Sequence, residues 1–285
     1  MKMKSIILGI LGLLLFTSCE DLPPDIYEPV PFVEGVLIVD RPIEDIRVMW
    51  TQPLTDSLDY EKSLIRDAAV FIKFDDQKLL LTTDTKGEKG YFYQDTNVLV
   101  QPNKTYELEI ILKDGTVITG STFTPSRFNW VKQPTPTLQF PKDTINYTDV
   151  TDTVKISWER VNQTFFWFIR VSCLDTLEYG KYIQPPTEEP NRRIYRPFSN
   201  PERPSYRRTV SWGLLPLNEA PVVWSSFKWY GWHRLSIISP DFNYLRWSLQ
   251  YFRSGQYDPL LSSVENAIGY FGSATEINAD FILLY

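Results

Sequence analysis

A period-two alternation of apolar and polar side chains restricts much of this chain to β-strands. In the clearest instance every second residue of one stretch is apolar: Tyr106, Leu108, Ile110 and Leu112. Successive side chains of a strand point to opposite faces of a sheet, so this pattern predicts a strand with one buried face. Asp114-Gly115 follows and predicts a two-residue hairpin, because both central positions of a type I′ turn need positive φ. Residues 116–123 then form the partner strand.

Further strands are predicted throughout the chain by alternation or by compact apolar runs. They are residues 33–39, 46–50, 68–74, 77–83, 154–158, 165–171 and 235–238. Short strands between turns, in a chain with 21 prolines and 15% aromatic residues, favour β-sandwiches. We expect the strand that ends at Trp158 to pair with the aromatic run Phe165–Val171, an arrangement similar to a fibronectin type III sandwich. The predicted fold class is therefore mainly β, with two immunoglobulin-like or fibronectin-like sandwiches.

A proline-rich stretch, residues 125–141, divides the predicted strands into two groups. Proline interrupts strand ladders because it lacks a backbone donor. We predict a first sandwich domain over residues 32–127 and a second over residues 128–285.

One helix is predicted in the second domain, over residues 240–254. Ser239 can cap its start, Pro240 suits its first position and Asp241 suits its positive end. Apolar residues then recur at helical spacing: Phe242, Leu245, Leu249 and Phe252. We expect this helix to pack on the second sandwich.

The start of the chain is typical of a secretory signal that ends at a cysteine. Lys2 and Lys4 precede an apolar run over residues 6–16, and Thr17-Ser18 precedes Cys19. This run is shorter than the ~20 residues that a membrane-spanning helix needs. The arrangement resembles a bacterial lipoprotein signal, which implies cleavage of residues 1–18 and lipidation of Cys19.

Residues 19–31 are acidic and proline-rich, which predicts a tether between the lipid and the folded part. The acidic pair Glu20 and Asp21 resembles the surface-export signal of Bacteroidetes lipoproteins. The expected location is therefore the outer membrane, with a lipid anchor and the protein facing the cell exterior.

Composition argues against several classes of function. The net charge of −6 disfavours nucleic acid, because phosphate binding needs a basic surface. His233 is the single histidine, and only Cys173 remains besides Cys19, so we expect no zinc site, no other metal and no cofactor. We interpret Cys173 as a buried thiol and His233 as a packing or hydrogen-bonding residue. We predict no catalytic residues, since residues 209–240 offer only Glu219 as an acid for carboxylate chemistry.

Two segments are candidates for binding. Residues 184–208 form a predicted proline-rich loop with the main cluster of basic side chains: Arg192, Arg193, Arg196, Arg203, Arg207 and Arg208. Such a loop could grip an anionic or sugar ligand or a partner protein, or its arginines could simply pair with nearby acids. The second candidate is an aromatic platform formed by Trp224, Trp229 and Trp232. The alternative is that these tryptophans are buried in a core, because large aromatic side chains commonly fill cores.

The C-terminal region carries a family resemblance. Ser239-Pro240-Asp241-Phe242, the predicted helix and the segment from Pro259 to Gly272 resemble a Bacteroidetes outer-membrane lipoprotein family of unknown function. Gly269 and Gly272 match the glycines of that family, and Val33-Glu34-Gly35 resembles its opening strand. Glycine at such positions allows backbone geometry or close approach that other residues resist.

The resemblance implies a non-enzymatic protein encoded beside a SusC-like TonB-dependent transporter. Its expected role is to capture a nutrient, or to assist its uptake, at that β-barrel transporter. A free-standing glycan-binding, adhesin or envelope-assembly lipoprotein stays open as an alternative, and a glycan hydrolase is a less favoured one.

Overall fold

The computed structural model describes most of the chain from residue 27 onward. The described residues are 27–53, 55–57, 59–84, 90–139, 155–162, 164–175, 185–186, 209–214, 216–222, 227, 230–252 and 258–284. Within them the protein is mainly β, as predicted, and none of their helices is long and apolar enough to cross a membrane.

The first half of the chain contributes short strands and one single-turn helix. The elements are β1 (Pro31–Ile38), β2 (Arg47–Trp50), α1 (Tyr60–Ser63), β3 (Ala69–Phe74), β4 (Gln77–Thr83), β5 (Tyr91–Phe92), β6 (Thr105–Ile111), β7 (Val117–Phe123), β8 (Trp130–Lys132) and β9 (Thr137–Gln139). The alternation that predicted β6 is confirmed, because Tyr106, Leu108 and Ile110 are all buried.

The second half contains longer strands and the main helix. The elements are β10 (Lys155–Trp158), β11 (Trp167–Cys173), β12 (Thr209–Leu214), β13 (Glu219–Pro221), β14 (Gly231–Pro240), α2 (Phe242–Ser248), two 3₁₀ turns (Leu249–Phe252 and Pro259–Leu261), β15 (Val264–Glu265) and β16 (Ile268–Leu284).

These strands form three sheets. The central sheet has the order β12-β11-β14-β16-β1-β2, and β9 also pairs with β16. The N-terminal sheet has the order β15-β7-β6-β3-β4-β5, and the small sheet has the order β13-β10-β8.

The central sheet depends on β16, which is long enough to pair with different strands along its length. Residues from Ile268 to Ala274 pair in parallel with β1, and residues from Ala274 to Leu283 pair antiparallel with β14. One face of this sheet is covered by both other sheets. Phe271 of β16 lies in a core with the N-terminal sheet, and Phe281 lies in a second core with the small sheet.

The two cores make the molecule a pair of β-sandwiches that share one sheet, which confirms the predicted fold class. The first core is built from residues 33–118 together with Val264 and Phe271 from the C-terminal region. The second core lies entirely after residue 127. The domain boundaries predicted at residues 32–127 and 128–285 stay predictions.

The helix α2 packs on the opposite face of the central sheet. Tyr244 and Leu245 contact a small apolar cluster of Phe168, Ile238 and Ala274, and Trp247 stacks on Tyr270. The predicted bounds of 240–254 are too wide, because β14 continues through Pro240, which pairs with Ala274. Asp241, rather than Ser239, is the N-cap, and its side chain accepts a hydrogen bond from the Tyr244 backbone N–H.

Two predicted local arrangements are wrong. Strands β10 and β11 do not pair, because they lie in different sheets. Their side chains meet instead across the second core, where the rings of Trp158 and Trp167 pack edge to face with centroids 5.6 Å apart. The turn at Asp114-Gly115 is also not type I′. The Leu112 carbonyl accepts from the Gly115 N–H, the Leu112 N–H donates to the Thr116 carbonyl, and Gly115 alone takes positive φ in this turn. This makes a three-residue loop with a bulge, a common alternative hairpin.

Candidate functional site

Most residues that the sequence singled out for function lie outside the described part of the chain. These are Cys19, Glu20, Asp21, Arg192, Arg193, Arg196, Arg203, Arg207, Arg208, Trp224 and Trp229. Their roles in lipidation, export and binding therefore stay predictions. Trp232 is described and 43% exposed, because its side chain points away from the second core while its neighbour His233 points into that core.

Cys173 and His233 are both buried, as predicted. His233 lies between Phe227 and Phe281, and its Nδ1–H donates to the Gly231 carbonyl. Burial lowers the pKa of His233 to about 4, although the bond to Gly231 opposes that shift. The imidazole is therefore neutral at physiological pH and sits in the core of a sandwich.

The acids of the central sheet are held by arginines. Glu276 is paired with Arg170 at 2.7 Å and with Arg41 at 3.6 Å. Asp280 forms a bidentate pair with Arg234, which lowers the pKa of Asp280. No group of three or more His, Cys, Asp or Glu side chains in the described residues could hold a metal ion.

A cleft of about 640 Å³ opens where the two sandwiches and α2 meet. The end of β7 forms one wall, Asn162, Thr164 and Phe165 form another, and the start of α2 forms the third. Three phenylalanines line it and are unusually exposed: Phe123 at 49%, Phe165 at 72% and Phe242 at 68%. A mainly apolar concavity of this size with a few polar groups is typical of a ligand site.

A hydrogen-bonded network forms the floor of the cleft. The Thr122 hydroxyl donates to Asp241 Oδ2 at 2.7 Å and lies 2.7 Å from the Ser273 hydroxyl, which reaches the Phe123 carbonyl. Asp241 Oδ1 accepts from the Tyr244 backbone N–H at 2.8 Å. The network therefore ties β7, β16 and α2 together directly below the exposed rings.

The electrostatics of the cleft are nearly neutral. Asp241 is the only ionisable side chain among the described lining residues. Burial raises the pKa of Asp241, and hydrogen bonds from Thr122 and from the backbone of Tyr244 oppose that shift. Both carboxylate oxygens are already engaged, so this acid holds the walls of the cleft in place.

The remaining polar groups of the cleft are neutral hydroxyls and amides. Within the described residues, the side chains of Thr105, Ser121 and Asn162 line the cleft without any hydrogen-bond partner. Asn243 donates from Nδ2 to the carbonyls of Ser121 and Phe271, which leaves its Oδ1 free to accept. The cleft thus combines exposed aromatic rings with uncommitted neutral donors and acceptors.

The sequence did not predict this cleft, although one local signal marks it. Side chains alternate between the two faces of β7, and Thr122 points inward. Phe123 therefore points outward, at a position where a polar residue is usual. Phe165 is the first residue of a predicted strand and carries no such signal. The prediction that Phe242 belongs to the packed face of the helix is wrong, because its ring is 68% exposed in the cleft. Only the fold brings the three rings together.

Fold and cleft define a class: a two-sandwich β-protein with an open, aromatic cavity, in which the one ionisable group among the described lining residues is held by hydrogen bonds. A family model described as a domain of unknown function, DUF4249, matches residues 20–278. The chain belongs to this family.

Comparison with other proteins adds little beyond the family. No curated protein matches the chain. The FN1–FN3 domains of chicken CNTN1 are 11% identical, with a TM-score of 0.23, and the match covers 90% of this chain and 67% of that chain. An Escherichia coli alpha-2-macroglobulin activated by porcine elastase is 8% identical, with a TM-score of 0.21, and the match covers 90% of this chain and 24% of that chain.

Proposed function

We propose that this protein is a non-enzymatic, lipid-anchored protein of the outer membrane that binds a nutrient in the cleft and passes it to a SusC-like TonB-dependent transporter. The cleft is the observation that carries this proposal. Its exposed rings and free neutral polar groups suit reversible binding. Among the described residues that line it, the one ionisable group, Asp241, is committed to Thr122 and Tyr244.

The anchor and the location rest on the signal at the start of the sequence. Cys19 would carry the lipid, and Glu20 with Asp21 would direct the protein to the cell exterior. The family match begins at residue 20, directly after the proposed lipidated cysteine, which supports this processing. The part of the predicted tether before Val30 would then let the sandwiches reach a neighbouring barrel without leaving the membrane, since Val30 already exchanges hydrogen bonds with Thr51 and Pro31 begins β1.

Affinity isolation of the tagged, lipidated protein from gently solubilised outer membranes tests the proposal. We expect a stoichiometric TonB-dependent barrel to be recovered with it. A Cys19→Ser variant should fail to fractionate with membranes and should lose the barrel, because it cannot carry the lipid. Recovery of the lipoprotein alone, together with normal growth of a deletion strain on all nutrients tested, would contradict the proposal.

A free-standing glycan binder or adhesin is the second candidate, and the exposure of Trp232 favours it. That ring is on the outer face of the central sheet and is not among the described residues that line the cleft, although Pro240 at the end of the same strand is. A Trp232→Ala variant separates the two candidates, since only the platform hypothesis predicts that it loses binding while the cleft is intact.

A further inference from the structure

We propose that the ligand of the cleft is a short neutral saccharide. This inference rests on the proposed function, because it takes the cleft to be a binding site, and it adds the chemical class of what binds there. Three properties of the cleft carry it: exposed ring faces, free neutral hydrogen-bonding groups and the lack of a free charge.

The exposed rings match one surface of a sugar. A pyranose ring presents C–H groups on its faces, and these carry slight positive charge. The face of a phenyl ring is the negative part of its quadrupole, so the two surfaces attract while both leave water. Phe165 and Phe242 are each more than two-thirds exposed. The Arg246 guanidinium lies 5.9 Å from the centroid of the Phe242 ring, so the opposite face of Phe242 and the ring of Phe165 are the surfaces for such stacking.

The polar groups match the edge of a sugar. A sugar hydroxyl both donates and accepts, so it pairs equally well with hydroxyl and amide side chains. Thr105, Ser121 and Asn162 have no partner within the described residues and line the same cavity as the rings. Asn103 accepts from Ser126 through Oδ1, which leaves its NH₂ group free to donate.

The charge of the cleft disfavours acidic ligands. No lysine or arginine is among the described residues that line it, and Arg246, which lies over the Phe242 ring, already donates to the Leu260 and Ser262 carbonyls. A uronate, sulfate or phosphate group would therefore gain no charge-assisted hydrogen bond from the described lining residues, and such ligands should bind more weakly than neutral ones.

A peptide that would add a strand to the N-terminal sheet is also disfavoured as the occupant. Pairing with a free strand edge is one common mode by which extended peptides bind. Here the carbonyls at the end of β7 are already occupied, since Ser121 accepts from Asn243 and Phe123 accepts from Ser273. The wall of the cleft therefore offers no open ladder for a main chain.

The test is calorimetric titration of the purified mature protein with neutral gluco-, manno- and xylo-oligosaccharides, with oligouronates and with a peptide library. We expect a neutral oligosaccharide to bind and the other two classes not to bind. Phe165→Ala and Phe242→Ala should each weaken that binding about tenfold. Leu80→Ala is the matched control, because it removes an exposed apolar side chain from the other end of the N-terminal sheet and should leave binding unchanged.

Several outcomes would overturn the inference. They are binding of oligouronates or peptides only, binding of no saccharide at all, or a saccharide affinity that falls in Trp232→Ala and not in the two phenylalanine variants. Failure here is distinguishable from failure of the proposed function. A barrel recovered without any sugar binding rejects only the saccharide, whereas a sugar bound without any barrel rejects only the transporter.

Discussion

Asp241 links the three structural parts that meet at the cleft. Its carboxylate caps α2, accepts from Thr122 of β7, and its backbone N–H donates to the Ser273 carbonyl of β16. Side-chain caps of this kind typically contribute about 1 kcal/mol to a helix. The position of Phe242, the next residue, therefore depends on this single acid.

We expect Asp241→Asn to make the protein more stable at neutral pH. Burial raises the folded-state pKa of Asp241 above its ordinary value of 3.8. The stability that this group contributes is therefore fully present below pH 3.8 and is lost as the pH rises through the raised pKa. The side-chain oxygen of asparagine can still accept from the Tyr244 backbone N–H, which keeps the helix cap. Its NH₂ group can donate to the Thr122 hydroxyl, and that hydroxyl can then donate to Ser273. Denaturant titrations from pH 4 to pH 7 should show the advantage of the variant growing with pH.

Asp241→Ala is the matched comparison for that prediction. It removes the cap along with the charge, so it should destabilise the protein by about 1–2 kcal/mol at pH 4, where the acid is least charged. An advantage of Asp241→Asn that stays constant or shrinks as the pH rises would contradict the assignment of a raised pKa.

His233 should make the protein sensitive to acid, in the opposite direction. Burial lowers its pKa from 6.5 to about 4, so the stability it contributes is present above pH 6.5 and is lost as the pH falls through the folded value. The full loss is about 3 kcal/mol. A His233→Phe variant keeps the stacking on Phe281 without a titrating ring. Its stability should therefore fall less than that of the unmodified protein between pH 6.5 and pH 4.5, and equal losses would contradict the prediction.

At the scale of elements, Gly272 sets how closely α2 approaches the central sheet. A Cβ at this position would lie 2.8 Å from the Tyr244 backbone nitrogen and 2.9 Å from Asp241 Oδ1. The Tyr244 nitrogen is helix backbone, and Asp241 Oδ1 is held by the cap bond from that same nitrogen, so neither atom moves aside without disturbing the start of the helix. The family resemblance singled out Gly272, and this close approach gives a physical reason for glycine there.

We predict that Gly272→Ala displaces α2 and destabilises the protein by about 1–3 kcal/mol, the usual effect of overpacking. Gly35→Ala is the matched control on the neighbouring strand. A Cβ there meets Ile46 and Phe271 at an ordinary 3.4 Å, and the residue has no positive φ. Thermal unfolding of the two variants measures the difference, and equal melting temperatures would show that the helix is free to move.

The elements differ in how far the sequence predicts them, for physical reasons. Strands such as β6 are predicted well because burial of every second residue is a local property. Pairing is not local, and so β10 and β11, close in sequence, lie in different sheets. The cleft has the same origin: Phe123 and Phe242 become neighbours only because β7 and the start of α2 are joined through Thr122 and Asp241.

At the scale of the whole molecule, the last strand completes the first sandwich. β1 pairs with β16 over residues 268–274, and β15 extends the N-terminal sheet through Gly120 and Val264. The first core includes Val264 and Phe271 from this C-terminal region. Contacts between residues so far apart in sequence close large loops, and folds that depend on such non-local contacts fold slowly.

We therefore predict that a fragment of residues 27–127 does not fold alone, although it contains most of the first core. Without β16, the strand β1 would keep only its short pairing with β2, and Val33 and Leu37 would lose the cover that Phe271 and its neighbours provide. The fragment should show no cooperative unfolding in circular dichroism. A chain that continues through residue 285 is the control. It contains β15 and β16, so it should show a cooperative transition. A cooperative transition in the isolated fragment would instead show that the boundary at residue 127 separates two independent folding units, with β16 only docked on the first.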